Sequence, residues 1–83
     1  MSTKLFVGSL PWSVDDEELK QAFEKQGTVV SAKVVKERDT GRSRGFGFVE
    51  MENSADAKNA IKALNESELN GRNIVVNEAK ARS

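Results

Sequence analysis

Eighty-three residues suit one small domain with a single core, and with neither cysteine nor histidine in the chain, disulfide frameworks, Cys-based zinc sites and the usual nucleophile–base pairs are unavailable. The 13 lysines and arginines balance 13 aspartates and glutamates, so no overall basic charge marks a nucleic-acid binder. Apolar runs are only a few residues long, far short of a membrane span or signal-peptide core, which predicts a soluble, unprocessed chain.

In chain order, Lys4 to Leu10 reads as a first strand with Leu5 and Val7 inward and Phe6 outward, broken by Pro11 to Val14. Asp15 and Glu18 form a capping box, and Val14 with Leu19 a hydrophobic staple, at the start of a first helix. Its inner face is Leu19, Ala22 and Phe23, and Gly27 supplies a left-handed stop. Trp12, beside Pro11, is expected to pack on the end of this helix, the alternative being contact with a bound nucleic acid. Val29 to Glu37 has the β-branched content of a second strand, with Val29, Ala32 and Val34 inward and Lys33 and Val35 outward. Arg38 to Ser43 is a polar loop turning at Gly41, and Arg44 to Met51 is a third strand.

Asn53 or Ser54 then caps a second helix, whose stripe of Ala57, Ala60, Ile61 and Leu64 has i, i+3, i+4, i+7 spacing. Asn70-Gly71 signals a turn, and Arg72 to Glu78 completes a fourth strand with Ile74 and Val76 inward and Val75 and Asn77 outward. The expected fold is α+β, of order βαββαβ: a four-stranded antiparallel sheet with two helices on one face, the ferredoxin-like arrangement. One domain fills residues 1–83, with a core from about 4 to 79 and a short tail over 80–83.

The third strand carries the most information. It reads Arg-Gly-Phe-Gly-Phe-Val-Glu-Met, and alternation puts Arg44, Phe46, Phe48 and Glu50 on one side and Gly45, Gly47, Val49 and Met51 on the other. A core strand would bury its aromatics and expose its small residues. Here the phenylalanines share a face with an arginine and a glutamate, which makes that the solvent side. Phe6, Phe46 and Phe48 together with Val35 and Val75 then lie on a sheet face that no helix covers. Three such rings, fully bared, amount to roughly 450 Å² or more, the limit of the apolar patch a soluble monomer shows. Aromatic surface beside basic residues suits the stacking of unpaired bases and the contact of phosphates. Charge is also distributed unevenly. Lys33, Lys36, Arg38, Arg42 and Arg44 outnumber Glu37 and Asp39 before the octamer, while Asp15, Asp16, Glu17, Glu18 and Glu24 crowd the first helix.

The octamer matches the pattern Lys/Arg-Gly-Phe/Tyr-Gly/Ala-Phe-Val-x-Phe/Tyr except at its last position, where Met51 stands for an aromatic. Upstream, Leu5-Phe6-Val7-Gly8-Ser9-Leu10 matches a second signature, with Ser9 where asparagine is commoner. Together they resemble the RNA recognition motif family, and in particular its small one-domain bacterial and chloroplast members. The resemblance implies that Phe6 and Phe48 stack on neighbouring bases, that Phe46 lies against the sugars between them, and that Arg44 contacts the linking phosphate. It also assigns base-edge reading to Lys33, Asn77 and the backbone of Glu78 to Lys80, with Val35 on the same face. Arg38, Arg42 and Arg72 would meet phosphates from loops, and Lys80 would add attraction from the tail. Met51 points inward, so its departure from the pattern concerns packing.

The expected ligand is single-stranded RNA, with single-stranded DNA as an alternative, bound by a cytoplasmic monomer of bacterial type or its organellar counterpart. No cofactor and no metal is called for. Catalysis is not expected: Gly45-Phe46-Gly47 does not extend to a dinucleotide fingerprint, and there is no Gly-Lys-Ser/Thr phosphate loop. Fold alone does not settle function. The competing reading is a protein-interaction module on the same scaffold, and retention of all three sheet aromatics weighs against it.

Overall fold

The computed structural model describes residues 2–41 and 43–79. Its elements are β1 (Thr3–Gly8), α1 (Asp16–Glu24), β2 (Val29–Lys36), β3 (Ser43–Met51), α2 (Ser54–Leu64), β4 (Glu68–Leu69), β5 (Arg72–Asn73) and β6 (Val75–Glu78). The main sheet has the order β2-β3-β1-β6, antiparallel throughout, and both helices pack on one of its faces. That is the expected ferredoxin-like α+β arrangement. It differs in one element. Arg72–Asn73 does not begin the last main-sheet strand but pairs with Glu68–Leu69 as a separate hairpin around Asn70-Gly71. The reason is local. Both turn residues have positive φ, 51° and 87°, as a two-residue primed turn requires, and the short ribbon this closes leaves only Val75 onward to pair with β1.

The core is entirely apolar: Leu5, Val7, Leu10, Val14, Leu19, Phe23, Val29, Val34, Val49, Met51, Ala57, Ala60, Ile74 and Val76 are all buried. Ala22, Ala32, Ile61 and Leu64 pack at its margin, as the helical and strand periodicities require. Val29 and Ala32, three residues apart, face the same side because a bulge interrupts the β2–β3 register between Val29 and Ser31. Asp15 caps α1 by accepting the Glu18 N–H at 2.8 Å. The capping box is not reciprocal, because the Glu18 carboxylate instead accepts from Asn70 Nδ2 at 2.9 Å and ties the hairpin to α1.

Gly27 does not supply the left-handed stop. Its φ is 158°, far from the left-handed well near +57°, and α1 ends in a tight turn in which the Gln26 N–H donates to Phe23 O at 3.0 Å. What demands glycine there is clearance, since a β-carbon would fall 2.5 Å from Asp56 Cβ of α2. Gly47 is required for a related reason. It points toward the helices, and a β-carbon would meet Lys33 O at 2.5 Å and Val34 Cα at 3.1 Å. On each sheet edge a side chain takes up one strand donor. Asp16 Oδ1 accepts the Val34 N–H of β2 at 2.7 Å, and Asn65 Oδ1 accepts the Val76 N–H of β6 at 2.9 Å. Each satisfies an outward-facing strand donor that would otherwise invite pairing with another chain.

Candidate nucleic-acid interface

The uncovered face is organised as rows of cross-strand neighbours. Phe48 lies opposite Phe6, Lys33 opposite Phe48 and Asn77 opposite Phe6. Lys33, Phe48, Phe6 and Asn77 thus form one row across all four strands, roughly 14 Å long at about 4.8 Å per strand. In a second row Lys4 lies opposite Glu50. In a third, Gly8 lies opposite Val75, and the Phe6 ring leans over Gly8.

The three rings pack on one another. Phe6 and Phe46 are 5.8 Å apart and tilted by 30°, Phe6 and Phe48 5.9 Å apart at 67°, and Phe46 and Phe48 6.2 Å apart at 88°. These tilted and edge-on contacts follow the ring quadrupoles. They leave each ring half-buried, so the bare apolar area is smaller than three isolated rings would present. Arg44 holds its guanidinium carbon 6.0 Å from the Phe46 centroid, and Lys4 holds Nζ 5.6 Å from that of Phe48. Both cations therefore stay beside the stacking surface while remaining exposed.

Most of the expected site residues are brought together here. Phe6, Phe46, Phe48, Arg44, Lys33, Val35 and Asn77 all lie on strands of this sheet, with Lys33, Arg44 and Asn77 exposed and Val35 half-buried. Arg38 is exposed in the β2–β3 loop and, with Lys36 and Arg44, lines a shallow cleft at the end of the sheet that also includes Glu37 and Asp39. Arg42 and Lys80 lie outside the described residues. Arg72 is placed differently from the expectation. It sits in β5, on the hairpin that Asn70 ties to α1, and Leu69 of that hairpin lines a groove with Glu18 and Ala22 of α1 and its C-cap Lys25.

Lys4 was missed, although strand alternation already places it on the side of Phe6. Its value comes from register, which sets it opposite Glu50 and over Phe48. Trp12 differs from the expectation, being 73% exposed and not packed on the end of α1. Among the described residues the one ion pair is Lys20–Glu24 within α1, so Lys4, Lys33, Lys36, Arg38 and Arg44 have no carboxylate partner. No group of three or more carboxylates among the described residues is placed to hold a metal ion. No helix among them is long and apolar enough to cross a membrane.

Comparison with known proteins agrees with this geometry. The RNA recognition motif family profile matches residues 5–75. The chain belongs to the RNA recognition motif family. It is 57% identical over 83 residues to the mitochondrial glycine-rich RNA-binding protein 4 of Arabidopsis thaliana, covering 100% of this chain and 61% of that one. It therefore spans less than two thirds of that relative's length. Its structure is similar to the crystal structure of RNA binding protein PG1, with TM-score 0.92, 46% identity and 98% of each chain covered. It is also similar to the Sxl-lethal protein in a complex with RNA, with TM-score 0.91, 29% identity, and 100% of this chain and 50% of that one covered. The expected bacterial-type cytoplasmic setting gains no support from similar proteins of Arabidopsis thaliana and Nicotiana sylvestris, which are mitochondrial or chloroplastic.

Proposed function

We propose that this chain binds single-stranded RNA on the open sheet face, stacking bases on Phe6 and Phe48, laying sugars against Phe46, and meeting phosphates with Arg44, Lys4, Lys33 and Arg38. The observation that carries this reading is the unbroken row Lys33–Phe48–Phe6–Asn77, which crosses the sheet with a cation at one end, an amide at the other and rings at its centre. Stacking is tolerant of base identity because every base has a π-face. Discrimination then falls to Asn77 and Lys33, the exposed polar residues at the two ends of the row. Single-stranded DNA shares the bases and phosphates and is the alternative ligand, distinguished by the 2′-hydroxyl. We propose a single module over 1–83 that works as a monomer. An organellar setting is favoured by the mitochondrial and chloroplastic relatives.

An RNA titration followed by amide chemical shifts tests the reading. Shifts confined to the open sheet face and its loop, centred on Phe6, Phe46 and Phe48 and reaching Lys33, Arg38 and Asn77, are expected. Shifts confined to the helix layer on addition of a peptide, with none on addition of RNA, would establish the protein-interaction module instead.

A further inference from the structure

We infer that Glu50 reads guanine: its carboxylate accepts from the N1–H and N2–H groups of a guanine stacked on Phe48, an assignment that rests on the RNA-binding reading above. It gives a sequence preference to a face whose stacking has none. Glu50 follows Phe48 by two residues on β3 and shares its side of the sheet, about 6.7 Å along the strand. That is within reach of the edge of a base lying over the ring. Glu50 is half-buried, and its Oε2 accepts a hydrogen bond from Ser2 Oγ. A carboxylate offers about four lone-pair sites, so room for further donors is left.

The surroundings of Glu50 favour a neutral partner that carries donors. Lys4 is its direct cross-strand neighbour, yet the two form no ion pair, the one such pair among the described residues being Lys20–Glu24. Lys4 instead lies over the Phe48 ring, with Nζ 5.6 Å from its centroid. Cation and carboxylate are thus held by separate partners, the ring for one and Ser2 for the other. Both line an open cleft that also includes Ser2, Thr3, Glu78 and Ala79. The two carboxylates of this cleft repel a phosphate, whereas a base edge bearing N–H groups suits them. Guanine alone presents two adjacent donors on its Watson–Crick edge. Adenine and cytosine set one amino group beside a ring-nitrogen acceptor, and uracil flanks a single N–H with two carbonyls. Each of those puts a lone pair against the carboxylate, while guanine answers both of its oxygens.

The test measures, by fluorescence anisotropy at fixed salt, the binding of labelled uridine octamers that are either unsubstituted or carry one central guanosine, adenosine or inosine. The proteins are the wild type, Glu50→Gln and Phe48→Ala. Adenosine controls for purine stacking, and inosine keeps the N1–H but lacks the 2-amino group. The wild type should bind the guanosine octamer about 5- to 150-fold more tightly than the adenosine one, the range for one bidentate pair. It should also bind the guanosine octamer more tightly than the inosine one. Glu50→Gln should bring guanosine and adenosine to near-equal affinity and bind the all-uridine octamer at least as well as the wild type, since a negative charge has left the RNA face. Phe48→Ala should weaken all of them. Equal binding of guanosine and adenosine or of guanosine and inosine by the wild type, or a guanosine preference kept by Glu50→Gln, overturns the assignment of Glu50 and leaves the sheet reading standing. The inosine comparison alters only the RNA and decides the matter even where the variant does not fold. If Phe48→Ala binds every octamer as tightly as the wild type, the RNA-binding reading itself fails.

Discussion

Phe48 and Val49 are adjacent on β3 but face opposite sides of the sheet, and truncating each to alanine separates recognition from folding. Val49 is fully buried against the helices. Val49→Ala removes two methyl groups, worth about 1.6 kcal/mol in transfer terms at roughly 0.8 per carbon. Incomplete collapse of the space adds to this, for a total of about 1.5–3 kcal/mol of stability. Phe48→Ala also costs stability, because its ring meets Phe6 at 5.9 Å and Phe46 at 6.2 Å. At about 0.5–1.5 kcal/mol per aromatic pair, a loss of about 1–3 kcal/mol is expected. The melts alone therefore do not distinguish the two positions; the RNA titration does. Below both transitions, Phe48→Ala should lose one base stack, about 1–3 kcal/mol or 5- to 150-fold in Kd. Val49→Ala should keep its affinity within about twofold. The paired assay is a thermal melt and a fluorescence-anisotropy titration with one labelled RNA at fixed salt. Affinity lost by folded Val49→Ala and kept by Phe48→Ala would refute the face assignment and every site residue that depends on it.

Four further outcomes follow from the geometry. With three or four of Arg44, Lys4, Lys33 and Arg38 on phosphates, log affinity should fall against log salt with a slope of about −2 to −3, and Arg44→Ala should reduce that slope by less than one; a flat salt dependence would leave stacking as the sole contribution. Gly47→Ala should destabilise the fold by about 1–3 kcal/mol or more, because the new methyl meets the backbone of Lys33 and Val34 and not a movable side chain, and an unchanged denaturation midpoint would contradict the close approach of β2 and β3. Asn65→Ala strips the Val76 N–H of its partner and should cost about 1–3 kcal/mol, seen as faster hydrogen exchange at Val76. Light scattering at micromolar concentration should return the mass of a monomer, since Lys33, Arg44 and Glu50 border the aromatic face and oppose a dry self-interface; a dimer that RNA dissociates would mean the face covers itself.

Alternation and helical spacing determined most of this protein from its sequence. Leu5, Val7, Val49 and Val76 had to point one way and Phe6, Phe48 and Asn77 the other, because period-two geometry admits no alternative once one face is apolar. Caps at Asp15 and Asn53 were equally legible, since a side-chain acceptor and the N–H it binds lie within three residues of each other. What tertiary structure decided involves groups distant in sequence. The Lys33–Phe48–Phe6–Asn77 row depends on register between four strands, and Lys4 joins the site only because that register sets it over Phe48. Asp16 and Asn65 read as ordinary helix-end residues until each is found taking up a strand donor on a sheet edge. Gly27 looked like a helix stop but proves to be clearance for Asp56, a neighbour 29 positions away that no local pattern reveals. Trp12 stays in water because Pro11 and Val14 are both buried and the turn between them points its side chain outward. Local propensity fixes which way a side chain leaves its own strand or helix; only the packing of one element on another decides what it then meets.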